Sequence, residues 1–128
     1  MSYDVLGEDE WEAVDRTWDL IQRGEIDRAR NDTDELLKRR PRHPDLLVLD
    51  AAVALEEGQA ERALQSLKGA ERSADPALLF HLRGLAHYQL VRPEPARDDA
   101  ERALAISPGM AEAHDLLSKV CEFLGDDE

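Results

Sequence analysis

The side chains in this sequence best suited to moving a proton or holding a metal are His43, His81, His87 and His114, with Cys121 the one thiol. Their spacing serves neither purpose. Two histidines grip zinc from one helix face when they stand four apart with a glutamate beside them, and no H-E-x-x-H and no such pair occurs. His81 and His87 are six apart and point in different directions on a helix. A metal held by His81 and His114 across neighbouring helices is the remaining arrangement, and the better reading is a packing role, with His87 filling the place of a packing tyrosine. A lone cysteine makes neither a disulfide framework nor a thiolate cluster. There is no G-x-S-x-G nucleophile elbow. The acid-rich runs "GEDE" and "GDDE" lack the alternating oxygen ligands of a calcium loop. The expectation is a protein that is not an enzyme, with no catalytic residue, metal or cofactor.

Without chemistry to perform, the chain must act through its shape and surface. Its 128 residues suit one domain. Leu, Ala, Glu and Arg dominate, which favours helices, while Thr and Ile are too sparse to build strands. The N-terminal "MSYDVLGEDEW" has no basic region and no apolar run, so it does not read as a secretory signal. No apolar stretch approaches a membrane span. A cytoplasmic protein is expected. Sixteen basic and 29 acidic residues give a net charge of −13, which repels phosphate backbones and argues against nucleic acid. The run "KRRPRH", Lys38 to His43, is the local exception. It reads either as an anion site or, preferably, as cations at a helix C-terminus, where the macrodipole favours them.

The chain repeats. "GEIDRARNDTDELLKRRP", "GQAERALQSLKGAERSADP" and "VRPEPARDDAERALAISP" align, each with an alanine soon after its start and a proline at its end. Ala29, Ala63 and Ala96 are 34 and 33 residues apart, and Gly24 and Gly58 are 34 apart. In the third segment Val91 takes the glycine's place. Pro93 and Pro95 then sit in the first turn of a new helix, where backbone N–H groups lack intrahelical partners anyway. Seven helices follow from this punctuation, at about 8–23, 25–40, 44–57, 59–73, 77–91, 94–106 and 109–125. Each is marginal alone and needs a packed apolar face. The small side chains of Ala63 and Ala96 mark points where helix axes cross closely.

The period, the helix–turn–helix unit and the placement of these residues together resemble tetratricopeptide repeats. The third unit carries Phe80, Gly84, Ala96, Ala103, Leu104 and Pro108; the second carries Leu47, Ala51, Gly58, Ala63, Leu67 and Ala70. The first fits less closely, through Ala13, Thr17, Gly24, Ala29, Leu36 and Pro41. The expected fold is therefore all-α: an α-solenoid of three helix pairs, over about 10–43, 44–76 and 77–110, plus a final helix at 111–125, in one domain spanning 1–128.

The resemblance implies a right-handed superhelix whose first helices line a concave groove for a peptide or partner helix. By that analogy the groove residues are Trp11, Val14, Trp18, Ile21, Val48, Ala52, Leu55, His81, Leu85 and Tyr88. Chaperone-binding members of the family grip a terminal carboxylate with lysines and asparagines. Here those places hold Val14, Trp18, Val48, Ala52, His81 and Leu85, and a carboxylate would be buried unpaired. The implied function is a non-enzymatic protein–protein interaction module whose ligand has apolar anchors and basic flanks. Trp11 and Trp18, seven apart on one helix face, read either as anchors for that ligand or as packing residues. The alternative is a repeat segment or dedicated subunit of a larger bacterial enzyme, such as a zinc metallopeptidase, since the last unit stops at Gly125 where earlier units turn into a second helix. Self-association, as a homodimer, is expected through Leu117, Cys121 and Leu124, which form a stripe on the final helix.

Overall fold

In a computed structural model, residues 5–125 are described. The first four residues of the N-terminal run and the last three of "GDDE" lie outside them. Among the described residues there are seven helices and no strand: α1 (Glu8–Gln22), α2 (Ile26–Arg39), α3 (Pro44–Glu56), α4 (Ala60–Lys68), α5 (Pro76–Gln89), α6 (Pro93–Ile106) and α7 (Ala111–Leu124). The punctuation is chemical. Pro44, Pro76 and Pro93 open α3, α5 and α6, where a missing N–H costs nothing. His43 and Asp75 cap the first two of these helices, accepting from the N–H groups of Asp45 and Leu78 at 3.1 Å.

The first helix of each pair turns into the second in the same way three times. Gly24, Gly58 and Val91 take left-handed conformations with φ of 79°, 76° and 59°. The next residue's N–H reaches back five residues, from Glu25 to Leu20, Gln59 to Ala54 and Arg92 to His87, at 2.8–2.9 Å. This is the Schellman arrangement, which satisfies carbonyls at a helix end. Val91 occupies it without glycine's freedom, so the backbone there is strained.

Packing follows from which faces are apolar. α3 is apolar on all sides and buries every residue from Leu46 to Leu55 except the half-buried Leu47. It is accordingly the central helix, packed on α1, α2, α4 and α5. α2, α4 and α6 each bury one narrow face containing a fully buried alanine: Ala29, Ala63 and Ala96. Close approach is tightest at Gly84 of α5. A Cβ there would stand 3.1 Å from the Ala96 carbonyl oxygen on α6 and 3.1 Å from Leu116 on α7. Each odd-numbered helix touches the next odd-numbered one, while α2, α4 and α6 do not touch one another. The odd-numbered helices are therefore the close-packed inner row and the even-numbered ones the splayed outer row.

The fourth helix is shorter than its sequence suggests. It ends at Lys68 rather than continuing to about residue 73. The Asp45 carboxylate draws the following segment over the start of α3, accepting from Ser73 Oγ at 3.0 Å and the Ala74 N–H at 2.8 Å. Ala70 is still fully buried, so the segment packs without being helical.

Candidate functional site

The inner row of α1, α3, α5 and α7 presents the candidate groove. Its expected residues fall into two groups. Trp11 is 40% exposed, and Trp18, Ile21, Leu85 and Tyr88 are half-buried. Val14, Val48, Ala52, Leu55 and His81 are buried, because α1, α3 and α5 pack directly on one another and use these side chains as the contact. The surface open to a ligand is narrower than helical spacing suggests, and these five can shape it only from beneath. The two tryptophans also differ. Trp18 packs against the cores on both sides of α3, whereas Trp11 joins no core cluster among the described residues.

The helices of the same row also carry acids. Glu56 at the end of α3 and Glu112, Asp115 and Glu122 on α7 are all exposed. Lys119 of α7 is already engaged by Asp115 at 3.1 Å. His81 feels both Glu112 and Asp115, yet burial pushes its pKa below the usual histidine value, and those acids only partly offset the burial. Its Nδ1 is buried without a hydrogen-bond partner among the described residues. Gln89 of α5 donates through Nε2 to the Leu55 carbonyl at 3.4 Å and so ties α5 to the end of α3.

Buried ion pairs hold the rows in place, and sequence reasoning missed them. Asp50 stands within the apolar run "LLVLDAAVAL", and that isolation was the available signal. Its carboxylate accepts from Arg30 of α2 and from Arg62 and Ser66 of α4. Burial would raise the Asp50 pKa, but the bonds from Arg30, Ser66 and Arg62 outweigh it and hold the group below the usual carboxylate range. Arg30 also forks onto Glu57 at 2.8 and 3.1 Å. One unit further on, Arg83 of α5 makes a bidentate pair with buried Asp99 of α6, at 2.8 and 2.9 Å. At the end of the stack, Leu117, Cys121 and Leu124 are half-buried, with Leu117 and Leu124 leaning on the α6–α7 core, and Phe123 is 58% exposed. No three potential metal-ligating side chains cluster among the described residues. No helix is long and apolar enough to cross a membrane.

No protein-family model matches the sequence, and neither does any curated protein. Solved structures do. The TPR domain of Sgt2 from Aspergillus fumigatus aligns with a TM-score of 0.80 at 16% identity, over 98% of this chain and 85% of that one. The fold is that of a tetratricopeptide-repeat domain. The first TPR of Spaghetti (RPAP3), bound to the HSP90 peptide SRMEEVD, aligns at 0.77 with 21% identity, covering 97% of this chain and 99% of its own. The second TPR domain of human RPAP3, in complex with the HSP70 peptide SGPTIEEVD, aligns at 0.68 with 24% identity, over 84% and 91%. The all-α solenoid expected from the repeat period is thus the fold observed.

Proposed function

We propose that the chain is a non-enzymatic, cytoplasmic protein–protein interaction module that takes a peptide or partner helix along its inner row. The carrying observation is the make-up of that row: exposed Trp11 and half-buried Trp18, Ile21, Leu85 and Tyr88, with exposed acids Glu56, Glu112, Asp115 and Glu122 on the same helices and Lys119 paired with Asp115. The partners of the RPAP3 domains end in the acidic sequence EEVD. Such a ligand would here meet carboxylates and apolar side chains where it needs cations. The ligand proposed is the opposite kind, with apolar anchors over Trp11, Trp18, Ile21, Leu85 and Tyr88 and basic residues facing the acids. Val14, Val48, Ala52, Leu55 and His81 support these contacts from below.

Selection from a random peptide display library against the wild-type chain and a Leu85→Asp variant tests this. Enrichment of basic, apolar peptides that the variant fails to capture supports the reading. Enrichment of acidic C-terminal peptides, or of one peptide set by both proteins, refutes it.

A further inference from the structure

With 29 acids to 16 bases, most cations in this chain have an acidic partner. Arg30 holds three acids, Arg83 holds Asp99, and Arg40 reaches Glu10. Arg42, Lys68 and Arg72 have no ion-pair partner among the described residues, and all three line a single cleft of about 530 Å³. Of the other cations without ion pairs, Arg16 and Arg39 share a different cleft with four acids, Asp9, Glu10, Asp32 and Glu35, and Arg102 lies over the Phe80 ring in a cleft with Asp98 and Asp99. The first cleft instead sets two acids, Asp45 and Glu71, against three such cations. They come from three places in the chain: the turn before α3, the last residue of α4, and the connection to α5. Asp45 pins that connection over the start of α3 through Ser73 and Ala74, so the cleft is built by the fold rather than by one flexible run.

A fourth polar group belongs to the lining. His43 lines it and is only 5% exposed. Its Nδ1 accepts from the Asp45 N–H at 3.1 Å, so in the neutral ring the proton resides on Nε2. That Nε2–H has no partner among the described residues. Of the two acids in the lining, Asp45 is occupied by its own hydrogen bonds, and Glu71 is an exposed side chain beside the cations.

We propose that this cleft binds a single phosphate monoester group, through Arg42, Lys68 and Arg72 with the His43 Nε2–H as a fixed donor. Three cations and one neutral donor match a group of charge about −2 with three acceptor oxygens better than a singly charged carboxylate. The net charge of −13 disfavours a nucleic-acid strand, which would bring many phosphates against the surrounding acids. The cleft shares no residue with the groove set, so the inference stands or falls separately from the peptide reading.

The test is an amide-resolved NMR titration of the full chain with inorganic phosphate, against sodium chloride of matched ionic strength. Saturable shifts confined to the amides of 42–46 and 68–74, weakened at least ~10-fold by Arg42→Gln with Arg72→Gln at an unchanged unfolding midpoint, support the site. Shifts that chloride reproduces, that never saturate, or that survive in the variant overturn it. A phosphoserine peptide and its unphosphorylated form provide the second arm. Tighter binding of the phosphopeptide than of phosphate identifies a protein source, and equal binding identifies a small phosphate or its ester; both support the site. A short oligonucleotide binding the same amides more tightly than either overturns the assignment.

Discussion

Replacing Val91 by glycine should make the protein more stable, although Val91 has the larger side chain. Val91 sits at φ 59° in a turn that is built on glycine in the two preceding units. A β-branched residue in the left-handed region costs about 1–2 kcal/mol. The side chain offsets little of this through packing, since it is 65% exposed. Glycine removes the strain but gives the unfolded chain more freedom, worth about 0.5–1 kcal/mol. The net gain is about 0.5–1 kcal/mol, or about 2–5 °C in thermal midpoint for a domain of this size. Gly58→Val makes the reverse change. A Cβ at Gly58 meets nothing within 4 Å, so its cost is backbone strain alone, and the variant should lose about 1 kcal/mol. Gly7 has φ −72° and tolerates a side chain, so Gly7→Val is the control and should shift far less. Urea denaturation of the three variants measures this. Val91→Gly no more stable than wild type, or Gly58→Val matching Gly7→Val, would refute the claim that these turns share one strained conformation.

Asp50→Asn should destabilise the protein at neutral pH, by less than the ~3–5 kcal/mol of a fully broken buried pair because Arg30 keeps Glu57 and Asp34. The Asp50 pKa is depressed in the folded state, so its contribution is complete above the unfolded value of about 4 and disappears as pH falls through the folded one. The stability gap between wild type and Asp50→Asn, followed by urea titration, should therefore close on acidification below about pH 4. His81 is depressed too, so it favours the folded state above about pH 6.5 and stops doing so as pH falls. His81→Gln should accordingly lose less stability than wild type between pH 7 and pH 5, and equal slopes would show that this histidine does not titrate as its burial implies. Sedimentation at high concentration should detect a dimer that Leu117→Glu with Leu124→Glu dissolves, and a strict monomer would leave α7 as the cap of the stack.

The rhythm of the fold was legible because its punctuation is local. Gly58, Val91 and Pro93 act on their own backbone, and a 34-residue recurrence of such signals locates helix ends without knowledge of packing. The end of α4 was not legible, because Asp45, more than twenty residues earlier, draws residues 73 and 74 out of helical geometry. The groove was legible as a helix face but not as a surface. Val14 and Trp18 share that face, yet only the arrangement of α1 against α3 decides that one is buried and the other half-open. "KRRPRH" contained two meanings. Lys38 and Arg39 lie in the last turn of α2, as the dipole reading expects, while Arg42 lies beyond it and meets Lys68 and Arg72 only in the folded chain.

The central claim concerns the sign of the ligand, and tryptophan fluorescence can measure it directly, since Trp11 and Trp18 both stand on the inner row. Two peptides suffice: one basic with apolar anchors, taken from the display selection, and one ending in a free acidic carboxylate such as SRMEEVD. The account predicts saturable binding of the basic peptide, weakening as added salt shortens the screening length below its physiological value of about 8 Å, and lost with Leu85→Asp. Saturable binding of the acidic peptide with no response to the basic one, unchanged by Leu85→Asp, would contradict it.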